Sequence, residues 1–114
     1  MTKPKLAEKK TTETGCKLCP KFTQTFMMLG KKWNGLIIEV LLEQPTLRFK
    51  DIAGAITKCS DRVLCERLKE LEDEQIIVRK TYAGSSRVDY ALTERGRELA
   101  PVMKAVHAWS DKWC

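Results

Sequence analysis

Apolar residues recur at helical spacing through most of this chain and give way to two-residue alternation between residues 76 and 92. Phe22, Phe26 and Leu29 form a stripe on a first helix that opens at Cys19-Pro20 and stops at Gly30. Residues 33–42, WNGLIIEVLL, are apolar nearly all round, the pattern of a helix at the buried centre of a small fold. Gln44-Pro45 ends that helix, because proline disfavours helical geometry in the residue before it. RFKDIAGAI (48–56) sets Phe49, Ile52, Ala53 and Ile56 on one face of a short helix. TKC then turns, and Ser60 is suited to cap the next helix, SDRVLCERLKELEDEQ. There Leu64, Leu68 and Leu71 point inward, with Arg62, Glu66 and Lys69 opposite and Asp61 and Cys65 flanking them.

Two short segments follow, IIVRKTY and RVDYALT, joined by AGSS. In the first, Ile76, Val78 and Lys80 alternate with Ile77, Arg79 and Thr81. In the second, Val88, Tyr90 and Leu92 alternate with Asp89 and Ala91, and both patterns predict a small half-buried hairpin. Thr93 caps one last helix, ERGRELAPVMKAVHAWSDKW, with apolar positions at Leu99, Val102, Met103, Val106 and Trp109. A short helix, a turn, a capped helix and a polar-tipped hairpin make a winged helix-turn-helix. The expected class is α+β, mainly α, with additional N- and C-terminal helices.

Residues 1–15 are polar, rich in lysine and threonine, and end in Gly15; they read as a flexible basic N-terminal arm ahead of a single domain over 16–114. The net charge is +6 and uneven, with +4 in residues 1–21 and +2 in the remainder. Such a balance attracts nucleic acid or an acidic membrane surface through a sequence-independent field, although a solvated lysine tail has the same composition. No apolar run reaches the roughly 18–20 residues of a membrane span, and the N-terminus lacks the apolar core of a secretion signal. The expected location is the cytoplasm, where five cysteines are kept reduced rather than forming a disulfide framework.

The helix-turn-helix calls for double-stranded DNA as partner, because its second helix enters the major groove by its N-terminal half. The groove-side candidates are Ser60, Asp61, Arg62, Glu66 and Lys69. An arginine reads guanine through two hydrogen bonds, and a carboxylate accepts from cytosine. The acidic last turn, Glu70, Glu72, Asp73 and Glu74, keeps the far end of that helix away from phosphates. Ser85, Ser86 and Arg87 at the hairpin tip suit phosphate or minor-groove contact. Against this stands the plain alternative of a solvated helix face, with Arg62, Glu66 and Lys69 pairing among themselves.

Cys16 and Cys19 form a C-x-x-C. Cys19 opens a helix with Lys17 and Lys21 close by, and both features favour the thiolate, the reactive form of the side chain. The competing reading is a small buried hydrophobe. A zinc site is disfavoured, since a second C-x-x-C is missing and the only histidine, His107, lies in an apolar helix as a packed interface residue rather than a ligand. A thiol oxidoreductase is disfavoured too, because no strand precedes the C-x-x-C as a βαβ redox motif requires. No metal and no cofactor is expected.

The order CP, GKKW, RFKDI, SDRVLCERLKELE, RVDYALTERG and a late Trp resembles the HxlR family of bacterial winged-helix transcription regulators, related to the MarR type, over roughly residues 19–110. That resemblance implies a DNA-binding regulator rather than an enzyme. It also implies a homodimer formed through the first and last helices, each subunit offering its recognition helix and wing to half of a palindromic operator. The stripes Phe22, Phe26 and Leu29, and Leu99, Val102, Met103, Val106 and Trp109, independently supply apolar surface for that interface. Cys19 is the cysteine of the family's CP motif, which in one branch senses oxidants or quinone-like electrophiles. The expected function is therefore a repressor whose DNA affinity is switched by modification of Cys19, with Cys16, Cys59, Cys65 or Cys114 as resolving partner. The alternative is control by a small-molecule ligand at the dimer interface, near Trp33, Met27 and Trp109, with cysteines that do not sense. Two departures from the family stand out: Ser85-Ser86 replace prolines common in the wing, which implies a more mobile tip, and Pro45 stands where a glycine is usual.

Overall fold

A computed structural model of the chain describes residues 18–114; the expected arm, Cys16 and Lys17 lie outside them. The chain divides into two compact units at Lys31/Lys32. In the first, α1 spans Pro20–Leu29, with Cys19 as its N-cap in extended geometry and Pro20 in its first turn. The carbonyl of Cys19 accepts the first helical bond, from the Thr23 amide. Gly30 closes the helix as expected.

The second unit begins with α2, Asn34–Glu43, one residue later than the sequence pattern suggested. Trp33 does not join the helix; it is its N-cap in the left-handed region, φ 81°. Gln44 takes an extended conformation before Pro45 and ends α2. The short helix α3, Phe49–Ala55, leads through the turn at 56–60 into α4, Asp61–Asp73. The Ser60 hydroxyl accepts from the Val63 amide at 3.2 Å, the cap expected from the sequence. The core is Ile37, Ile38 and Leu41 of α2, Ile52 and Ile56, Leu64, Leu68 and Leu71 of α4, and Ile76, Ile77, Ala91 and Leu92 of the hairpin. Truncating one of the α4 leucines to alanine costs about 2–5 kcal/mol at such a site.

Strands β1 (Ile77–Thr81) and β2 (Val88–Leu92) pair antiparallel, with Ile77 opposite Leu92 and Thr81 opposite Val88. The alternation read from the sequence fails at two places. Ile76 and Ile77 are both buried in succession, and so are Ala91 and Leu92; Asp89 is buried as well. One further pairing was not revealed by the sequence. Leu47 bridges Tyr90 on the other edge of β2, through Leu47 N to Tyr90 O at 2.9 Å and Tyr90 N to Leu47 O at 2.7 Å. β2 is thus flanked on both edges, by β1 and by Leu47.

The expected single last helix is two: α5, Glu94–Arg97, and α6, Ala100–Trp113. Pro101 explains the break. Without an amide hydrogen it cannot donate to the carbonyl of Arg97, so the ladder stops and restarts from Leu99. Thr93 caps α5 through the Gly96 amide and also donates to the carbonyl of Gln75 at 2.7 Å, fastening the base of the hairpin to the end of α4. Gly96 is required there, since a Cβ would run into the Ile76 carbonyl oxygen.

Candidate DNA interface and cysteine positions

Of the sequence candidates, Ser60, Asp61, Arg62, Cys65, Glu66 and Lys69 are all exposed along α4, opposite the buried leucines. They divide by engagement. Ser60 spends its hydroxyl on the cap. Lys69 donates to Asp73 at 3.0 Å, and that carboxylate raises the lysine pKa above its ordinary value. Its ammonium is thereby drawn toward the acidic end of the helix. Glu66 lies 4.0 Å from Arg67. The pairing among Arg62, Glu66 and Lys69 that would make a self-satisfied face is not the one the helix adopts. Asp61 and Arg62 occupy the first turn, the part of a recognition helix that reaches base edges.

The wing tip is built by a clamp that the sequence did not announce. Tyr82 Oη donates to Asp89 Oδ2 at 2.8 Å, and Arg87 Nε donates to both carboxylate oxygens at 3.2 Å. The Arg87 guanidinium also stands over the Tyr82 ring, 5.8 Å from its centroid. The tyrosine hydrogen bond, with Arg87 and Arg48 nearby, lowers the Asp89 pKa, and the same bond raises that of Tyr82. Gly84 turns the tip at φ +73°, and the Ser85 hydroxyl accepts from the Arg87 amide at 3.0 Å. Ser85, Ser86 and Arg87 are exposed as expected, and Arg79 and Lys80 on β1 add exposed cations the sequence reading passed over. Counting the hairpin register outward from the tip would have placed Tyr82, Arg87 and Asp89 on one face.

The dimer candidates lie on two helices without a buried residue. Phe22 and Phe26 of α1 are exposed, their rings 5.1 Å apart, and Leu29 is half-buried. On α6, Val102, Val106 and Trp109 are exposed and Met103 is half-buried, while Leu99 is the N-cap rather than a helical position. His107 is exposed within the single chain and bonded to Glu39 of α2. That bond, then Asp111 and Glu43, raises its pKa above the ordinary 6.5. The attraction is present below pH 6.5 and is lost as pH rises through the raised value.

Cys19 is exposed at the start of α1, Cys65 on α4 and Cys114 at the end of α6. Cys59 is buried in the turn before α4, its thiol donating to the Ser60 carbonyl at 3.5 Å. A cleft of about 290 Å³ lies between α2 and the α3–α4 turn, walled by Trp33, Leu36, Val40, Ile56 and Lys58 among others. Trp33 was expected to line a pocket; Trp109 does not line this one, and Met27 belongs to the N-terminal unit. Among the described residues no three His, Cys, Asp or Glu side chains gather as a metal site would need, and no helix is long and apolar enough to cross a membrane.

A family profile described as HxlR-like helix-turn-helix matches residues 28–114. The chain belongs to the HxlR family. It is 45% identical over 101 residues to the HTH-type transcriptional regulator YodB of Bacillus subtilis, covering 88% of this chain and 89% of YodB. The solved reduced form of YodB superposes with a TM-score of 0.76 at 43% identity, over 86% of this chain and 96% of that one. Its quinone-bound form gives 0.74 at 44% identity, over 84% and 100%. Like its HxlR relatives, the protein is a helix-turn-helix transcriptional regulator that binds DNA, and not an enzyme. In its winged helix-turn-helix, α3 and α4 are the helix pair and the β1–β2 hairpin is the wing.

Proposed function

We propose that the protein is a homodimeric repressor whose affinity for a palindromic operator falls when Cys19 is oxidised or alkylated. One observation carries this reading: Cys19 stands exposed as the N-cap of α1, beside Lys21, in a chain 45% identical to a regulator solved in reduced and quinone-bound forms. The thiolate is the form of a cysteine that reacts with electrophiles and oxidants. Toward a quinone, that thiolate adds to a ring carbon; one oxygen takes a proton from solvent and the ring proton at the new C–S carbon moves to the other oxygen, leaving a substituted hydroquinone. Toward diamide, Cys19 and a second thiol give up two electrons and two protons, forming a disulfide and the hydrazine.

Arg62 and Asp61 supply base contacts in the major groove, Glu66 and Lys69 flank them, and Ser85, Ser86 and Arg87 reach the backbone or minor groove. The apolar faces of α1 and α6 pair the subunits. Cys114 is the favoured resolving thiol, being exposed at a helix end, whereas Cys59 reacts only if its turn opens. The cleft beside Trp33 favours a second reading, in which a small ligand controls the protein reversibly.

Operator binding by fluorescence anisotropy before and after diamide or benzoquinone, with mass mapping of each cysteine, separates the two. Wild-type protein is expected to release its operator and Cys19→Ser to hold it. A Cys19→Ser protein that releases DNA as wild type does would sink the thiol reading and leave the cleft.

A further inference from the structure

Arg67 lies on α4 between the leucines that face the core and the exposed row at Asp61, Arg62, Cys65 and Glu66. Its side chain is only 17% exposed and reaches away from the groove face. Nε donates to the carbonyl oxygen of Lys32 at 3.2 Å, joining residues 35 apart in the chain, while Nη1 donates to Glu70 at 3.4 Å. Lys32 is the second-to-last residue of the connector between α1 and α2. The next residue, Trp33, holds the left-handed backbone, φ 81° and ψ −21°, with the Lys32 ammonium 5.0 Å from its ring centroid. A bulky residue keeps such a conformation only where its surroundings over-determine it. The grip of Arg67 on the preceding carbonyl is one of those constraints.

We infer that Arg67 is a positioning residue for operator recognition: it sets the roll of the recognition helix against the α1–α2 connector and makes DNA affinity depend on that connector's backbone. The geometry explains why an arginine is used. Its planar fork holds the Lys32 carbonyl and the Glu70 carboxylate in fixed directions at once, which a lysine ammonium cannot do. If the Lys32–Trp33 peptide turns, the carbonyl turns with it, and the side chain bonded to it carries the torque to α4. Base readout tolerates little of this, because a hydrogen bond weakens steeply once misaligned. The inference rests on α4 being the DNA-reading helix; it does not require Cys19 to be the sensor.

The test measures binding of full-length, reduced protein to its own operator duplex and to an unrelated duplex, over a range of salt. Arg67→Ala is expected to weaken operator binding about tenfold, a coupling of ordinary size for residues in contact. The slope of log affinity against log salt should stay unchanged, and so should binding to unrelated DNA. Arg67→Lys is expected to recover part of the loss. In a Trp33→Gly background, where the connector is no longer held in one conformation, Arg67→Ala should cost less than threefold. A salt slope smaller by about one would make Arg67 a direct phosphate contact and overturn the inference. Equal losses in both backgrounds, or no loss in either, would overturn it as well. Should Arg67→Ala fail to fold by circular dichroism, the same cycle with Arg67→Lys decides the matter.

Discussion

Asp89 receives its hydrogen bonds from Tyr82 and Arg87, with the charge of Arg48 nearby, and it is the residue that ties the wing tip to the sheet. Its carboxyl is held below the ordinary 3.8, first by the tyrosine bond and then by Arg87. A lowered acid pKa means that the stabilising contribution is present above 3.8 and is lost as pH falls through the lower folded value. Replacing Tyr82 by Phe is expected to raise the Asp89 pKa back toward 3.8 and to move the loss of wing structure to higher pH. Carbon-13 titration of the Asp89 carboxyl reads this directly, and an unchanged pKa would show that the tyrosine bond is not what holds it. Chemically, the residue is a buried charge kept ionised by its neighbours.

Helix α4 depends at its start on one hydroxyl, since the Ser60 side chain satisfies the Val63 amide. Ser60→Ala is expected to cost about 1 kcal/mol of stability and Ser60→Gly only a few tenths, measured by urea unfolding. Similar losses for both would point to a role for the hydroxyl other than capping. This helix was legible in sequence because its signals are local: cap, leucine spacing and acidic end all lie within it. So were the Gly30 stop, the Pro45 break and the two hairpin strands. The lone pairing of Leu47 with Tyr90 was not, because a single bridging residue leaves no period to read. The split of the last helix was also missed. Apolar spacing runs on through Leu99 and Val102 while Pro101 interrupts the backbone beneath it. Within the site, the exposed row of α4 followed from the pattern. Arg67 did not, since it sits between the two faces and its partner is a backbone carbonyl far away in sequence.

Across the whole molecule, the buried core belongs to α2, α3, α4 and the hairpin, while α1 and α6 bury no residue. Phe22 and Phe26 on α1, and Val106, Trp109 and Trp113 on α6, are each more than half exposed. Apolar surface on this scale calls for a partner, and a second copy is the expected one. Sedimentation of the wild-type protein should give a dimer at micromolar concentration, and Trp109→Glu a folded monomer with operator affinity lower by roughly 10²-fold or more, as the second half-site no longer helps the first. A Trp109→Glu protein that stays dimeric would move the interface elsewhere. The clamp at Asp89 has a further effect on how such a molecule meets DNA. Fixing a loop residue's backbone costs about 1–2 kcal/mol in entropy. With Tyr82, Arg87 and Asp89 already joined, much of that ordering accompanies folding, so if the wing meets DNA as proposed, little of its freedom remains to be lost on contact.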